Sequence, residues 1–591
     1  MTLLPASKSN RAVFLAVILC LVWLYGNAIL SGTFGHMAGE PDNVMRYIQI
    51  RDWMNGQSWF DTDQYRLGVA TGTDMHWSRL PDVPVAALAW FFGIFTTQEQ
   101  ALFLAAAIWP PLLGAVLLVI LTRGAERLST AETRLPAVLA VLAIGLVFTG
   151  RSIRFESGAL DHHNLQVVLM MGCIVALFTA SRLKSGLLAG ALMGAALAIG
   201  PEVYPFIALI GLFVALDWAW LGQARAKRTL GFGLGFALSL AALFLLTVAP
   251  SDWTKNYCDQ LSTVNVLAGI IGGSGLALAA WKMSSQPLWM RILPLGAIGL
   301  AVLALVGAIA PQCFSNPLDA LPETMHKFWL DHISEAKPLG VDEPLPLREI
   351  PFFIGTAIVI ITVLIWNLIK RGSSSVTYLF LMLLAASLAL TVYQVRFFIF
   401  LHVFAIVPSA IWIANTYVAG TKKKSNIAYL GATVLSLPIF MTVPHVLLSL
   451  NSDQASEAKT ASSVACSAPD VIEALNKLPT GVVQASPSHG ADLMKVTEHR
   501  YLAANYHRNI AGIQADIDIQ TASVDRAKQL IKKYGVDYIL LCETDHLTEF
   551  YGKDYPNAFA VKLETGETPT WLSLENASLS DGGVKLYRVL K

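Results

Sequence analysis

The feature that most constrains this chain is a series of long apolar runs that contain no Lys or Arg. A helix needs roughly 20 apolar residues to cross a bilayer. Thirteen such runs are present: 12–30, 101–121, 135–149, 164–179, 186–199, 204–221, 229–248, 263–280, 292–310, 351–368, 376–390, 397–420 and 427–447. Only 14% of the 591 residues are charged, against about 25% in an ordinary soluble domain. We therefore predict a polytopic α-helical membrane protein with about 13 transmembrane helices.

The connecting segments alternate in their content of Lys and Arg. Every second connection is short and basic, as in Lys422-Lys423-Lys424. The positive-inside rule places these connections and the N-terminus in the cytoplasm. The first run follows Lys8 and Arg11, and we interpret it as a retained helix rather than a cleaved signal peptide. Thirteen crossings of the cell inner (plasma) membrane then leave the C-terminal tail on the external side.

The chain divides into two predicted domains. Residues 1–447 form the transmembrane domain, which carries two long outer loops, 31–100 and 311–350. Long loops of ordinary composition are usually functional. Residues 448–591 form a small external α/β domain. The net charge of +1 gives no reason to expect a nucleic-acid partner.

The tail shows the alternation of elements that is typical of an α/β domain. Residues 524–533 have the pattern of an amphipathic helix, and 536–541 have that of a buried strand.

Four of the six Cys residues fall on the external side under this topology. Cys258 and Cys313 lie in outward loops, and Cys466 and Cys542 lie in the tail. In an oxidising compartment each pair would form a disulfide. The alternative in each case is two unpaired buried thiols.

The same side also carries candidate metal ligands. Asp161 and His163 are two residues apart, and in an extended segment their side chains point the same way. A carboxylate and an imidazole together suit a divalent cation. Asp42 and Glu335 lie in the two long loops. The alternatives are a polar loop cap for the Asp161 pair, a helix N-cap for Asp42, and simple solvation for Glu335.

Three arginines on the predicted outer side are candidates for binding phosphate. They are Arg151, Arg154 and Arg396. A guanidinium holds a phosphate through two parallel hydrogen bonds. The alternative for Arg396, at a membrane edge, is a side chain that snorkels to water. Acids that hold a metal beside cations that hold phosphate suit a reaction on a lipid-linked phosphate donor.

The order of these motifs resembles that of the catalytic subunit of oligosaccharyltransferases, and the archaeal branch looks most similar. This is a family of multi-spanning GT-C-type glycosyltransferases with thirteen transmembrane helices. Asp42 sits like the acid of the family's first outer loop, and Asp161 and His163 match its Asp-x-His motif. Glu335 resembles the Glu that closes its fifth-loop motif, and Arg396 resembles the Arg that opens its twelfth helix.

The resemblance implies a polyprenyl-linked sugar donor and Mg²⁺ or Mn²⁺ as cofactor. Asp42, Asp161, His163 and Glu335 would hold the metal. Asp42 and Glu335 would also act as catalytic residues that orient the acceptor, with inversion at the sugar. Arg396 would lie near the donor, and a phosphate contact by Arg151 or Arg154 is our own inference from their charge and position.

The acceptor stays open among protein, glycan and lipid. The family reads its protein acceptor with a Trp-Trp-Asp motif, and the comparable stretch here, 484–492, has none. The basic and aromatic segment 498–509 is either a surface for a different acceptor or an ordinary part of the domain.

Three alternative functions remain at this stage. The nearest keeps the fold but uses a polyprenyl-monophosphate sugar to modify a lipid or polysaccharide. A transporter or flippase would favour ionisable residues within the spans. A scaffold would leave the order of the acidic motifs unexplained.

Overall fold

The structure is a computed structural model of the chain. It describes residues 6–37, 40–178, 182–315, 318, 321–340, 350–372, 374–441, 466–542, 545–575, 579 and 583–590. These residues form two compact units, each built from segments that are distant in sequence. The first unit comprises Met1–Ala38, Trp77–Pro317 and Ser334–Asp453, and the second comprises Gly39–His76, Leu318–Ile333 and Gln454–Lys591. Parts of both predicted outer loops therefore belong to the second unit.

Helices make up almost all of the first unit. In chain order, the helices up to residue 441 are α1 (Ala6–Leu30), α2 (Pro41–Met54), α3 (Asp82–Phe92), α4 (Gln98–Leu128), α5 (Arg134–Arg151), α6 (His163–Leu177), α7 (Leu183–Ile199), α8 (Tyr204–Leu221), α9 (Ala226–Thr247), α10 (Thr263–Met283), α11 (Leu288–Ile309), α12 (Glu323–Phe328), α13 (Thr356–Arg371), α14 (Ser375–Tyr393), α15 (Phe398–Lys423), α16 (Ile427–Leu435) and α17 (Pro438–Met441). Two of these, α2 and α12, belong to the second unit.

Nine helices of the described chain are long and apolar enough to cross a membrane. They are α1, α4, α8, α9, α10, α11, α13, α14 and α15, some extended by a short turn. The three short predicted runs between 135 and 199 form α5, α6 and α7, which are apolar but shorter. The last predicted run, 427–447, begins with α16 and α17, and its end lies outside the described residues. A multi-pass helical membrane protein is therefore confirmed.

Two helices of the first unit pack backbone against backbone. Gly186 and Gly190 on α7 face Gly231 and Gly235 on α9, and a Cβ atom at any of these positions would collide with a carbonyl oxygen of the other helix. Small residues four apart allow this close approach in membrane helices. By contrast, no residue of α11 is buried within the described structure. Such a helix suits contact with lipid on most of its surface.

The second unit contains a five-stranded mixed sheet. Its strand order is β4-β3-β5-β7-β6, where the strands are β3 (Val482–Gln484), β4 (Arg500–Tyr501), β5 (Val536–Cys542), β6 (Leu572–Leu574) and β7 (Val584–Val589). The first three strands are parallel and the last two are antiparallel to their neighbours. A small hairpin of β1 (Asp63–Gln64) and β2 (Thr73–Asp74) belongs to the same unit.

Helices flank this sheet. They are Pro469–Asn476, Gly490–Val496, Ile510–Thr521, Val524–Tyr534, Leu547–Tyr551 and Phe559–Glu564. The predicted helix at 524–533 and the predicted strand at 536–541 are both confirmed.

Both candidate cysteine pairs are disulfides. Cys258 and Cys313 join the segments that flank α10 and α11, with their Cα atoms 5.3 Å apart. Cys466 and Cys542 join the start of the described tail to the end of β5, with a Cα separation of 5.9 Å. The alternative of unpaired thiols is wrong for both pairs. Cys20 and Cys173 are buried free thiols.

Candidate functional site

The turn between α5 and α6 buries a carboxylate among cationic and imidazole groups. Asp161 is 1% exposed, and its Oδ1 atom lies 2.9 Å from His163 Nδ1. Its other oxygen, Oδ2, accepts a hydrogen bond from Arg154 Nη1. The amide of Asn164, at the start of α6, donates to the carbonyl oxygens of Arg154 and Ala159 and so fixes the turn.

Asp161 also contacts the first turn of the helix that follows it. Its carboxylate accepts from the backbone N–H of His163, the first residue of α6, at 3.4 Å, whereas the N-cap of α6 is His162. Asp161 therefore contacts both the imidazole and the backbone of His163, so the predicted pair and a polar contact within the loop occur together.

A second imidazole, which the sequence analysis did not select, completes the group. His162 Nδ1 lies 3.1 Å from Asp161 Oδ1, and His162 Nε2 lies 3.7 Å from Glu202 Oε2. The Gln166 amide donates to the same oxygen of Glu202 at 3.2 Å. His162 therefore bridges the buried carboxylate of Asp161 and the half-buried carboxylate of Glu202. Its place in the Asp-His-His sequence was visible, whereas nothing in the sequence indicated that Glu202 would lie beside it.

Neighbouring charges determine the ionisation of this group. Burial alone would raise the pKa of Asp161, but coulombic interactions with His163, Arg154 and His162 hold that pKa well below its usual range. Burial alone would lower the pKa of His162, but the carboxylates of Asp161 and Glu202 raise it to about 9. The neighbours of Asp161 therefore stabilise its charged form.

These residues fit a divalent cation. One ligand atom from each of Asp161, His162 and His163 lies within 4.8 Å of the other two. A carboxylate oxygen with imidazole nitrogens is a donor set that Mn²⁺ and Zn²⁺ accept. The group includes two of the four predicted metal ligands, and both come from one local motif.

Glu335, another predicted ligand, lies close to this group but not in it. Its side chain is 48% exposed, and its Oε2 atom is 4.0 Å from Arg154 Nη2. The Arg154 guanidinium therefore lies between the carboxylates of Asp161 and Glu335. Glu335 is thus more than a simply solvated loop residue.

Arg396 occupies a short helical turn, Val395–Phe397, at the start of α15. The backbone N–H of Val395 donates to the Lys337 carbonyl at 3.0 Å, which ties this turn to the segment of Glu335. The Arg396 Nε and Nη2 atoms donate to Gln394 Oε1 at 3.1 and 3.0 Å. Its guanidinium is therefore held by its own loop. For Arg151, at the end of α5, only the backbone is described.

Asp42 belongs to the second compact unit, whereas the other three predicted ligands belong to the first. It is the second residue of α2, whose N-cap is Glu40. The interpretation of Asp42 as an N-cap is therefore wrong. A carboxylate in the first helical turn is still favourable, because it faces the positive end of the helix dipole.

The basic and aromatic segment 498–509 is largely used inside the second unit. Tyr501 is fully buried and pairs with Leu67. Arg508 Nη1 lies 3.1 Å from Asp74 Oδ2, and the His507 ring packs against the His76 ring in a tilted arrangement with centroids 4.3 Å apart. These contacts support the interpretation of the segment as an ordinary part of the domain.

Fold and site together define a class: a polytopic helical membrane protein with a charged, buried turn between two of its apolar helices and a separate mixed-sheet unit. No family model matches the sequence, and no curated protein matches it. Solved structures do match. The fold is that of archaeal oligosaccharyltransferases, as the sequence resemblance predicted.

Three structures from Archaeoglobus fulgidus show the extent of this likeness. The oligosaccharyltransferase AglB in complex with an inhibitory peptide and a dolichol-phosphate has a TM-score of 0.68 and 13% identity, over 94% of this chain and 72% of that one. The apo form has the same TM-score and 15% identity, over 95% and 73%. A complex with Zn and sulfate has a TM-score of 0.61 and 14% identity, over 92% and 70%.

Proposed function

We propose that this protein is a membrane glycosyltransferase that moves a sugar or oligosaccharide from a polyprenyl-(pyro)phosphate donor to an acceptor, with the help of a metal and with inversion at the sugar. The observation that carries this proposal is the Asp161, His162 and His163 group, which stands in a fold shared with oligosaccharyltransferases. The apolar helices supply the membrane setting that a lipid-linked donor requires.

The proposed topology keeps thirteen crossings of the plasma membrane, a cytoplasmic N-terminus and an external α/β domain at 448–591. The transmembrane domain then ends at 447. Under this topology the turn with Asp161 lies at the outer face, where a lipid-linked sugar is accessible from outside the cell.

The proposed metal is Mg²⁺ or Mn²⁺, held first by Asp161 and His163. A bound divalent ion would supply positive charge for the departing phosphate. Asp42 and Glu335 would complete the ligand set and orient the acceptor. A crystal structure with Zn and sulfate in the related fold is consistent with a metal at such a site.

The donor would meet two features of the first unit. A largely apolar cavity of about 280 Å³ is lined by Phe148, Phe352, Phe398 and Ile399 among others, and such walls suit a polyprenyl chain. Arg396 is two residues from Phe398 and would contact the phosphate. The related protein was solved with a dolichol-phosphate.

The contacts of Arg154 favour a role other than the phosphate contact that its charge and position in the sequence predict. It is engaged by two carboxylates, Asp161 and Glu335, so a phosphate would compete with both. We infer that Arg154 mainly positions Asp161 and Glu335 relative to each other.

The proposed acceptor is a protein, a glycan or a lipid. An acceptor peptide containing an NVT sequon is bound in one of the structures with the related fold. The stretch 484–492 lacks the Trp-Trp-Asp motif, so the proposal does not commit to asparagine.

The acid within α8, Asp217, does not support a function as a transporter. Asp217 accepts hydrogen bonds from Arg225 Nε at 2.7 Å, from Arg228, and from Ser375 Oγ at 2.6 Å. A carboxylate with three donors is a structural element of the bundle and does not resemble an open proton or ion site.

The decisive variant is Asp161→Asn. We expect it to abolish sugar transfer in membranes supplied with polyprenyl-linked donor and Mn²⁺, while expression stays normal. Glu132→Gln is the matched control, because Glu132 is an exposed acid of the same unit that pairs with Lys422. Full transfer by Asp161→Asn would refute the metal site. Mass spectrometry of glycans lost on deletion of the gene would identify donor and acceptor together.

A further inference from the structure

The second unit contains a polar cavity of about 220 Å³ at one edge of its sheet. Its lining includes Ser486 and Ser488, which follow β3, Asn505, which follows β4, and Asp545, which follows β5. These three strands are parallel neighbours. Ligands in open α/β sheets bind outside the carboxyl ends of parallel strands. The position of the cavity is therefore that of a binding site.

The wall of the cavity at Asp516 includes a buried hydrogen-bond acceptor that lacks a donor, and a second such acceptor lies on a partner of Asp516. Gln484 Nε2 donates to Asp516 Oδ1 at 2.7 Å, and Gln520 also hydrogen-bonds to Asp516. The Oε1 atoms of Gln484 and Gln520 have no hydrogen-bond partner, although these residues are only 0% and 3% exposed. Gln520 lines the cavity directly. A buried acceptor without a donor is costly, so a ligand that donates hydrogen bonds would relieve it.

The charge of the cavity is also unbalanced. Asp516 and Asp545 both line it, and the described lining residues include no Lys or Arg. Burial raises the pKa of Asp516 to about 7, and the nearby carboxylate of Asp545 adds to that rise. Asp545 itself is fixed by the backbone N–H of Cys542 at 3.1 Å and faces His489 at 3.3 Å. A positive charge in the cavity would stabilise both carboxylates.

Aromatic side chains form the opposite wall. Trp329 is held in place by a hydrogen bond from its Nε1 to Asn505 Oδ1 at 3.2 Å. Phe328 packs against Tyr551 with ring centroids 5.0 Å apart, and Phe550 also lines the cavity. Aromatic faces attract cations and also pack against the carbon frame of a small ligand.

We propose that this cavity binds a small molecule with a primary ammonium group. The ammonium would donate hydrogen bonds to Asp516 and to Gln520 Oε1, and the carbon frame would pack against Trp329. The volume is below the roughly 300–1,000 Å³ of sites for drug-sized ligands, which restricts the ligand to about the size of a monosaccharide. Amino sugars and ethanolamine both carry the required group. The argument for this site does not rest on the proposed transfer reaction.

Calorimetry on the full-length protein in detergent tests the proposal directly. The probes are glucosamine and ethanolamine, and the neutral controls are glucose and N-acetylglucosamine. We expect binding of at least one amine and at least tenfold weaker binding of both neutral sugars. Binding of glucosamine alone would identify an amino sugar as the ligand, whereas similar binding of both amines would identify the ammonium as the whole determinant. Equal binding of neutral sugars, or no binding of either amine, would overturn the proposal.

Variants locate the site within the fold. Asp516→Asn keeps the shape of the side chain and should weaken amine binding at least tenfold. Asp518→Asn is the matched control, because Asp518 lies on the same helix but does not line the cavity. The affinity of this variant for the amines should equal that of the wild type. Asp545→Asn gives a second variant should Asp516→Asn fail to fold, and it should also weaken binding. Wild-type affinity in both cavity variants would place the ligand elsewhere.

Discussion

Two aspartates, one in each compact unit, are buried to the same extent and yet differ in their chemistry. Asp161 and Asp516 are each 1% exposed. Burial alone would raise the pKa of Asp161, but interactions with His163, Arg154 and His162 hold it well below its usual range. Asp516 has amide partners and a second carboxylate nearby, and its pKa rises to about 7.

The difference shows that neighbours, rather than burial, decide whether an interior carboxylate is charged. Desolvation raises the pKa of both aspartates, and only the cations beside Asp161 reverse it. Asp161 is therefore a permanent anion suited to hold a metal, whereas Asp516 responds to what enters its cavity. Three experiments test this contrast.

The largest effect should follow removal of the main partner of Asp161. We expect Arg154→Met to lower the free energy of unfolding by about 3–5 kcal/mol, because it leaves a buried charge short of its cation. The equivalent change beside Asp516, Gln484→Met, should cost only about 1–2 kcal/mol, since it removes a neutral donor. Thermal unfolding in detergent at pH 7 measures both. Equal losses of unfolding free energy in Arg154→Met and Gln484→Met would contradict the inferred difference between Asp161 and Asp516.

A smaller effect should appear in the pH dependence of stability. The pKa of Asp516 is raised by folding, so its contribution to stability is fully present below about pH 4 and is lost as the pH rises through 7. Asp516→Asn should therefore gain about 2–4 kcal/mol relative to the wild type between pH 4 and pH 8. Melting temperatures across this range provide the measurement. Parallel pH profiles for variant and wild type would show that Asp516 does not titrate near neutrality.

The smallest effect should come from the outer partner of His162. Glu202→Gln removes the charge that faces His162 Nε2 and should weaken Mn²⁺ binding about tenfold, because such partners orient metal-binding imidazoles. Titration followed by electron paramagnetic resonance measures the affinity. Glu132→Gln again serves as control and should bind Mn²⁺ as the wild type does. An unchanged affinity in Glu202→Gln would leave Glu202 with a packing role alone.

The sequence predicted the helical architecture well because every helix that crosses a bilayer needs a long apolar run. Such a run can be recognised from neighbouring residues in the sequence alone. It also predicted Asp161 with His163, since two residues of one turn need no knowledge of the fold to be grouped. It did not predict Glu202 beside His162 or Arg154 between Asp161 and Glu335, because those contacts depend on how distant helices pack. The acid-lined cavity was missed for the same reason. Asp516 lies in a helix of ordinary apolar pattern, and other polar residues that line the cavity follow three different strands.

The disulfide between Cys258 and Cys313 constrains the membrane topology of the chain. Its two sulfur atoms can meet only in the same aqueous space, so the segment between them traverses the bilayer an even number of times. That segment contains the two helices α10 and α11. The second of them has no buried residue within the described structure. The covalent bond therefore adds to the packing that holds α11 beside α10, at the end where the two helices are not joined by their own connecting loop.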